Sequence, residues 1–128
     1  SERVKQSRTV KRHVDRAIAL DSTLAGAYHI RGRWHREVAD LSFITRALVK
    51  ALYGGLPDAS LKQAIRDFKR AIALESKPYN HLELAKTYLD LDRTADARVQ
   101  LRIALETSGS PFDPEHKQEA GVLLTQLR

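Results

Sequence analysis

The chain has 128 residues, 42% of them apolar and 30% charged, with 22 Lys and Arg against 16 acids for a net charge of +6. This size and apolar content suit one domain with a buried core, and the few aromatics among many Ala and Leu favour stacked helices over a sheet. The lack of cysteine excludes a disulfide frame, a thiolate nucleophile and a thiolate metal site, and no apolar run reaches the roughly 18 residues a membrane span needs.

Residues 2–20 read as one helix with an apolar stripe of Val10, Val14, Ala17 and Ile18. The run Ala17 to Asp21 has the form of the close of a tetratricopeptide second helix. Together with Ser1 in place of Met, it points to a fragment that begins inside a repeat, with the stripe expected to be partly exposed. The opposite face is basic, with Lys5, Arg8, Arg12 and Arg16 three and four apart. The ordinary reading is a solvated helix face; the sharper one is a contact surface for acidic peptides, anionic phospholipid or nucleic acid. Nucleic acid is disfavoured, because no aromatic residue interleaves with the charges and no binding motif accompanies them.

Asp21-Ser22-Thr23 breaks the helix and is expected to cap the next one. From Leu24 to about Asp40 a second helix carries Ala27, Tyr28, Gly32, Trp34, His35 and Val38. Gly32 costs about 1 kcal/mol relative to Ala inside a helix, which a close helix contact would offset. Trp34 is expected in the core rather than at a ligand.

The spacing then departs from a plain array. Ala64, Phe68 and Ala71 recur as Ala97, Leu101 and Ala104 about 33 residues on, whereas Val10, Val14 and Ala17 lie about twenty residues too far back. The excess, roughly 40–59, reads as an insertion between the two helices of the middle repeat. Leu41, Ile44, Leu48, Ala51 and Leu52 at helical spacing make it an extra helix or an extension of the preceding one, with Leu41, Ile44 and Leu48 expected to pack on the rest. Tyr53 to Asp58 ends it in a turn, and Gly54-Gly55 is too isolated for a phosphate loop.

Ser60 followed by Gln63 forms a capping box for a helix running to about Leu74, and Lys77-Pro78 breaks the chain again. Tyr79 to Glu106 reads as a helix-turn-helix. His81, Leu84, Ala85 and Tyr88 share one face, Ala97, Leu101, Ala104 and Leu105 the next, and Asp92-Arg93 makes the corner with Thr94 as N-cap. This order fits the tetratricopeptide pattern, with His81 in the tryptophan place and Ala85 in the glycine place. After the loop Ser108 to Pro111, Asp113 as cap and Pro114 in the first turn start a last helix. Its Ala120, Val122, Leu123, Leu124 and Leu127 form a broad apolar face suited to covering the open end of a stack. The fold expected is all-α, a single domain over 1–128. It is a tetratricopeptide-like right-handed α-solenoid with an inserted helix in the middle repeat (about 40–59) and a C-terminal capping helix (about 113–127).

The stretch Gly32-Arg33-Trp34-His35-Arg36-Glu37-Val38-Ala39, with the insertion from Leu41-Ser42 to Ala51-Leu52-Tyr53-Gly54, resembles the regulator of microtubule dynamics family. So do Leu84 to Leu89, the closing Pro114-to-Leu127 helix and the opening helix ending at Asp21, so the resemblance spans nearly the whole chain. Tyr53 stands where relatives usually have Phe, and His35 where many have Cys. The resemblance implies association with microtubules or with mitochondrial membranes and their contact sites, and binding of phospholipid or partner proteins through the helical domain. Prokaryotic relatives exist as well.

No catalytic constellation is legible, so no enzyme activity, cofactor or metal is expected. His29 and His35 share a segment but are six apart, on opposite sides of a helix, whereas a helical metal site wants three or four. The leading expectation is a non-catalytic interaction scaffold that binds a peptide or protein, acidic in one version, in the groove lined by first helices. The groove positions are His29, Arg33, Arg36, Glu37, Tyr79, Glu83, Lys86 and Asp90. His29 and Arg33 stand where the tetratricopeptide carboxylate clamp has Lys and Asn, and Glu83 replaces a further Asn, which disfavours chaperone tails. Arg33 and Lys86 hold equivalent places and are expected to lie near each other. Either no carboxylate stands between them and they await an anion, or Glu37, Glu83 and Asp90 neutralise them. The alternative function is a phospholipid-binding or membrane-surface module. A cytoplasmic location is favoured for this stretch, with membrane attachment through segments outside it as the alternative.

Overall fold

A computed structural model describes residues 2–41, 43–54, 60–109 and 111–127. Among them the regular structure is all helix: α1 (Glu2–Leu20), α2 (Ala25–Ala39), α3 (Phe43–Tyr53), α4 (Leu61–Leu74), α5 (Pro78–Asp90), α6 (Thr94–Glu106) and α7 (Asp113–Gln126). α1 packs on α2, α2 on α4, α4 on α5 and α5 on α6; α7 lies across both α5 and α6, and α2 also touches α5. α3 takes no part in these packed pairs.

The core is densest from α4 onward, where Ala64, Phe68, Leu82, Leu84, Ala85, Ala97, Leu101, Ala104 and Ala120 are closed to solvent. The small residues on facing lines let the helices approach closely. At the α2–α4 crossing a Cβ on Gly32 would fall 2.7 Å from the Phe68 ring, so the aromatic closes on bare backbone. That is the close contact expected to offset a mid-helix glycine. Trp34 is buried, and its indole N–H donates to the carbonyl and hydroxyl of Ser7 at 3.0 Å, tying α2 to α1. Along α1, Val14 is buried, Ile18 half-buried and Val10 40% exposed, the partial exposure expected of that stripe.

Several local expectations are corrected. Asp21 accepts from the N–H and hydroxyl of Thr23 at 2.9 and 2.6 Å, so it closes a turn after α1; Leu24 holds the cap position of α2 without a side-chain bond. Asp92 takes φ +57°, with its N–H on the Leu89 carbonyl and that of Arg93 on the Tyr88 carbonyl at 3.0 and 2.8 Å. This left-handed closure returns the chain to helix early, so Thr94 is the first residue of α6 and Arg93 sits at the cap. Ser60 does cap α4, its Oγ accepting from Gln63 N–H at 3.0 Å, but the Ser60 N–H turns to His35 Nδ1 at 3.4 Å. Asp113 is already inside α7, and its carboxylate braces the loop by accepting from Gly109 N–H at 2.7 Å.

The packing expected of Leu48 is also overturned. Leu48 is 56% exposed, and Leu52 and Tyr53 are exposed too, because α2 and α4 meet directly through Gly32 and Phe68 and leave no slot between them. Leu41 is half-buried, and the Arg8 guanidinium donates to the Tyr53 carbonyl at the end of α3. The Ile44 side chain and residues 55–59 lie outside the described residues. Leu105 and Val122 face solvent, so the buried lines of α6 and α7 are narrower than their sequences imply.

Candidate functional site

Three helices, α2, α5 and α7, present their polar side chains to one another. The first link is a row of rings. His29 on α2 meets Tyr79 on α5 edge-on at 4.9 Å and Phe68 at 5.8 Å, and Tyr79 lies 5.7 Å from His116 on α7. Asn80 fixes the His29 tautomer. Its Nδ2 donates to the Glu75 carbonyl at 3.3 Å, so its Oδ1 accepts from His29 Nδ1–H at 2.7 Å. Burial lowers the His29 pKa and raises that of the Tyr79 phenol, so both are neutral at pH 7. Among the described residues, His116 Nδ1 is buried without a hydrogen-bond partner.

The second link is a relay of charge. Arg36 on α2 donates to Glu83 on α5 at 2.6 Å; Lys86 lies 3.7 Å from Glu83 and 2.5 Å from Glu119 on α7. Arg33 bonds Glu37 on its own helix at 3.1 Å, with both side chains more than half exposed. The awaited pair of unanswered cations is therefore not present. Arg33 and Lys86 each have a carboxylate, although Glu119 rather than Asp90 supplies the second one on Lys86. Asp90, the last residue of α5, instead meets Asp40, the C-cap of α2. Burial and the hydrogen bond and charge of Asp40 push the Asp90 carboxyl up to about 6 against the pull of Arg36. Asp90 sits at the C-terminus of α5, whose dipole also disfavours negative charge there.

All eight sequence-derived groove residues thus lie on α2 or α5, and seven of them are linked across or along these helices: His29 to Tyr79, Arg36 to Glu83 and Lys86, and Arg33 to Glu37. Sequence reasoning missed Asn80, His116 and Glu119; His116 and Glu119, three apart on α7, carried the available signal. It also missed a polar relay under α1. Arg31 holds buried Asp67 with two bonds of 3.0 and 2.9 Å and reaches Asp15 at 3.2 Å, and Lys11 joins Asp15 at 2.5 Å while stacking over Trp34. Burial pushes the Asp15 carboxyl up, but Lys11 and Arg31 outweigh it and hold it below the usual range. A charged residue within the apolar line Ala64, Phe68, Ala71 was the legible sign of that relay.

Of the basic α1 face, Lys5, Arg12 and Arg16 are exposed, and Arg8 is engaged with α3. No helix among the described residues is long and apolar enough to cross a membrane.

A family model for regulator of microtubule dynamics protein 1-3 matches residues 1–128. The chain belongs to the regulator of microtubule dynamics family. It is 34% identical over 107 residues to regulator of microtubule dynamics protein 3 of Xenopus laevis, covering 81% of the chain and 23% of that protein. Over 124 residues it is 31% identical to protein 1 of Mus musculus, covering 92% and 40%. Over 122 residues it is 30% identical to protein 2 of Homo sapiens, covering 92% and 30%. The chain therefore spans less than half the length of these relatives, in which the matched region is one part of a larger protein.

Proposed function

We propose that this region is a non-catalytic interaction scaffold, a tetratricopeptide-like right-handed solenoid that holds a protein or peptide on the shared face of α2, α5 and α7. The observation that carries this is the continuity of that face, where the ring row His29–Tyr79–His116 runs beside the relay Arg36–Glu83–Lys86–Glu119. Rings give flat apolar contact, and an already paired set of charges orients a partner without leaving buried charge unmatched. The pairing of α2 with α4 and of α5 with α6, with α7 laid on the last pair, supports the solenoid reading.

The names of the relatives make microtubules the first partner to try. Purified chain co-sedimented with polymerised tubulin is expected to pellet, and the Arg33→Glu, Lys86→Gln double variant to pellet at least roughly tenfold more weakly with its unfolding midpoint little changed. Pelleting that the double variant leaves intact removes this face as the site. Absence of pelleting by the wild type removes microtubules as the partner.

A second reading, a membrane-surface module, rests on α3. Leu48, Leu52 and Tyr53 are exposed beside Lys50, the chain carries no acidic residue between Asp40 and Asp58, and basic α1 adjoins the C-terminal end of α3. Flotation with anionic vesicles, lost on replacing Leu48 and Leu52 with Ser, would favour it over the protein scaffold.

A further inference from the structure

We propose that Ser76 is an activated nucleophile that accepts an acyl group from an activated ester or thioester, with His81 as its base and Gln100 holding that base. Ser76 is exposed in the turn between α4 and α5, and its O–H donates to Nε2 of His81 at 2.8 Å. His81, in the first turn of α5, is only 4% exposed, and its Nδ1–H donates to Oε1 of Gln100 on α6 at 2.8 Å. A hydroxyl, a base within hydrogen-bond reach and a third group that orients the base together form the signature of an activated nucleophile.

The arrangement sets the protons. The Gln100 oxygen can only accept, so Nδ1 carries the imidazole proton and Nε2 keeps its lone pair for Ser76. That is the tautomer a general base needs. The base is also held in place, because Gln100 lies between Ala97 and Ala104, which are closed to solvent in the core that joins α6 to α5. Neighbouring polar groups are committed elsewhere: Lys77 donates to the Gly109 carbonyl at 2.7 Å and Asn80 to the Glu75 carbonyl at 3.3 Å. Ser76 stands two residues ahead of Pro78, the first residue of α5, so the positive end of the helix lies beside the oxygen on which charge develops.

In the transfer, Ser76 Oγ attacks the carbonyl carbon of the donor while its proton passes to His81 Nε2. The bond from that carbon to the leaving oxygen or sulfur then breaks, and the leaving group takes the proton from Nε2. Ser76 is left as an ester and His81 is neutral again. One acyl group is accepted per chain, without turnover. Ser76, His81 and Gln100 are not among the residues of the α2–α5–α7 face, so neither reading depends on the other.

The test treats the folded chain with p-nitrophenyl acetate, quenches in acid, digests with pepsin and follows each acetylated serine by mass spectrometry. Ser22 is the internal reference: it too is exposed in a turn, and among the described residues no histidine meets its hydroxyl. Acetyl-Ser76 is expected to form at least roughly tenfold faster than acetyl-Ser22. Gln100→Leu, at a half-buried position, is expected to bring Ser76 down to the Ser22 rate with the thermal unfolding midpoint little changed. Gln100→Glu is expected to keep or raise the wild-type rate, since a carboxylate accepts the same N–H. Equal rates at Ser76 and Ser22 in the wild type overturn the proposal whatever the variants do, and leave Ser76 as a donor that merely satisfies a buried imidazole. A Ser76 rate that folded Gln100→Leu leaves unchanged, or that Gln100→Glu abolishes, overturns it as well.

Discussion

Helices α5 and α6 meet through Ala85, Ala97 and Ala104, with Leu84, Leu101 and Tyr88 filling the space between them. Helix α1 meets α2 in another way, through Trp34 hydrogen-bonded to Ser7 and through the charge relay Lys11–Asp15–Arg31–Asp67. Small apolar residues facing one another exclude water and need no partner. A charged junction depends on every member being answered, because an ion left alone in a partly buried site keeps its desolvation cost. The C-terminal half is therefore the stable body of the domain, and the N-terminal half the part whose surfaces stay open.

The largest expected effect tests that division. Leu101→Ala should cost about 2–5 kcal/mol in urea denaturation, since the site is fully enclosed. Leu48→Ala on exposed α3 should stay within about 0.5 kcal/mol. A comparable loss at both positions would end the comparison.

Asp67→Ala tests the polar junction. It leaves Arg31 with Asp15 alone and should cost about 1–3 kcal/mol, read from the same denaturation curves. A cycle with Asp15→Ala should show coupling, because both carboxylates share one guanidinium. Additive effects would mean that the relay acts as isolated pairs.

The carboxyl pair Asp40 and Asp90 sharpens the comparison through pH. Asp90 binds its proton more tightly folded, at about 6, than unfolded, near 3.8. Folding is thus favoured by protonation, and this contribution falls as pH rises from about 4 to about 6 and is absent above that. Asp90→Asn should be more stable than the parent above pH 6 and should lose the advantage towards pH 4. His29 and His35, both lowered by burial, slope the opposite way as pH falls below 6.5, so the comparison with the variant is the proper readout.

The smallest effect sits at the α5–α6 corner. Asp92 has φ +57°, and Asp92→Gly should raise stability by about 1 kcal/mol in thermal unfolding, with the Tyr88 and Leu89 closures retained.

Much of this architecture was legible from spacing. The line Ala64, Phe68, Ala71 and its recurrence at Ala97, Leu101, Ala104 placed α4 and α6, and Gly32 announced the contact that Phe68 makes. The caps at Asp21, Thr94 and Asp113 were misplaced because each depends on a backbone turn, such as the left-handed Asp92, which residue type alone does not fix. Leu48 was expected inside because helical spacing shows a face and not what covers it. At the candidate site the placing of the eight positions on two helices, α2 and α5, was readable from spacing. Their charges were not, since Glu119 comes from α7 and Arg36 reaches Glu83 across a helix boundary.

The placing of recognition on the shared face of α2, α5 and α7 is tested most directly by site-specific photocrosslinking in the full-length protein. A benzophenone side chain placed at Tyr79 should give one protein adduct that disappears with Arg36→Gln and Lys86→Gln. The same group at exposed Val99 on α6 should give none. An adduct from Val99 as strong as that from Tyr79, or one from Tyr79 that survives both substitutions, would contradict the assignment of recognition to α2, α5 and α7.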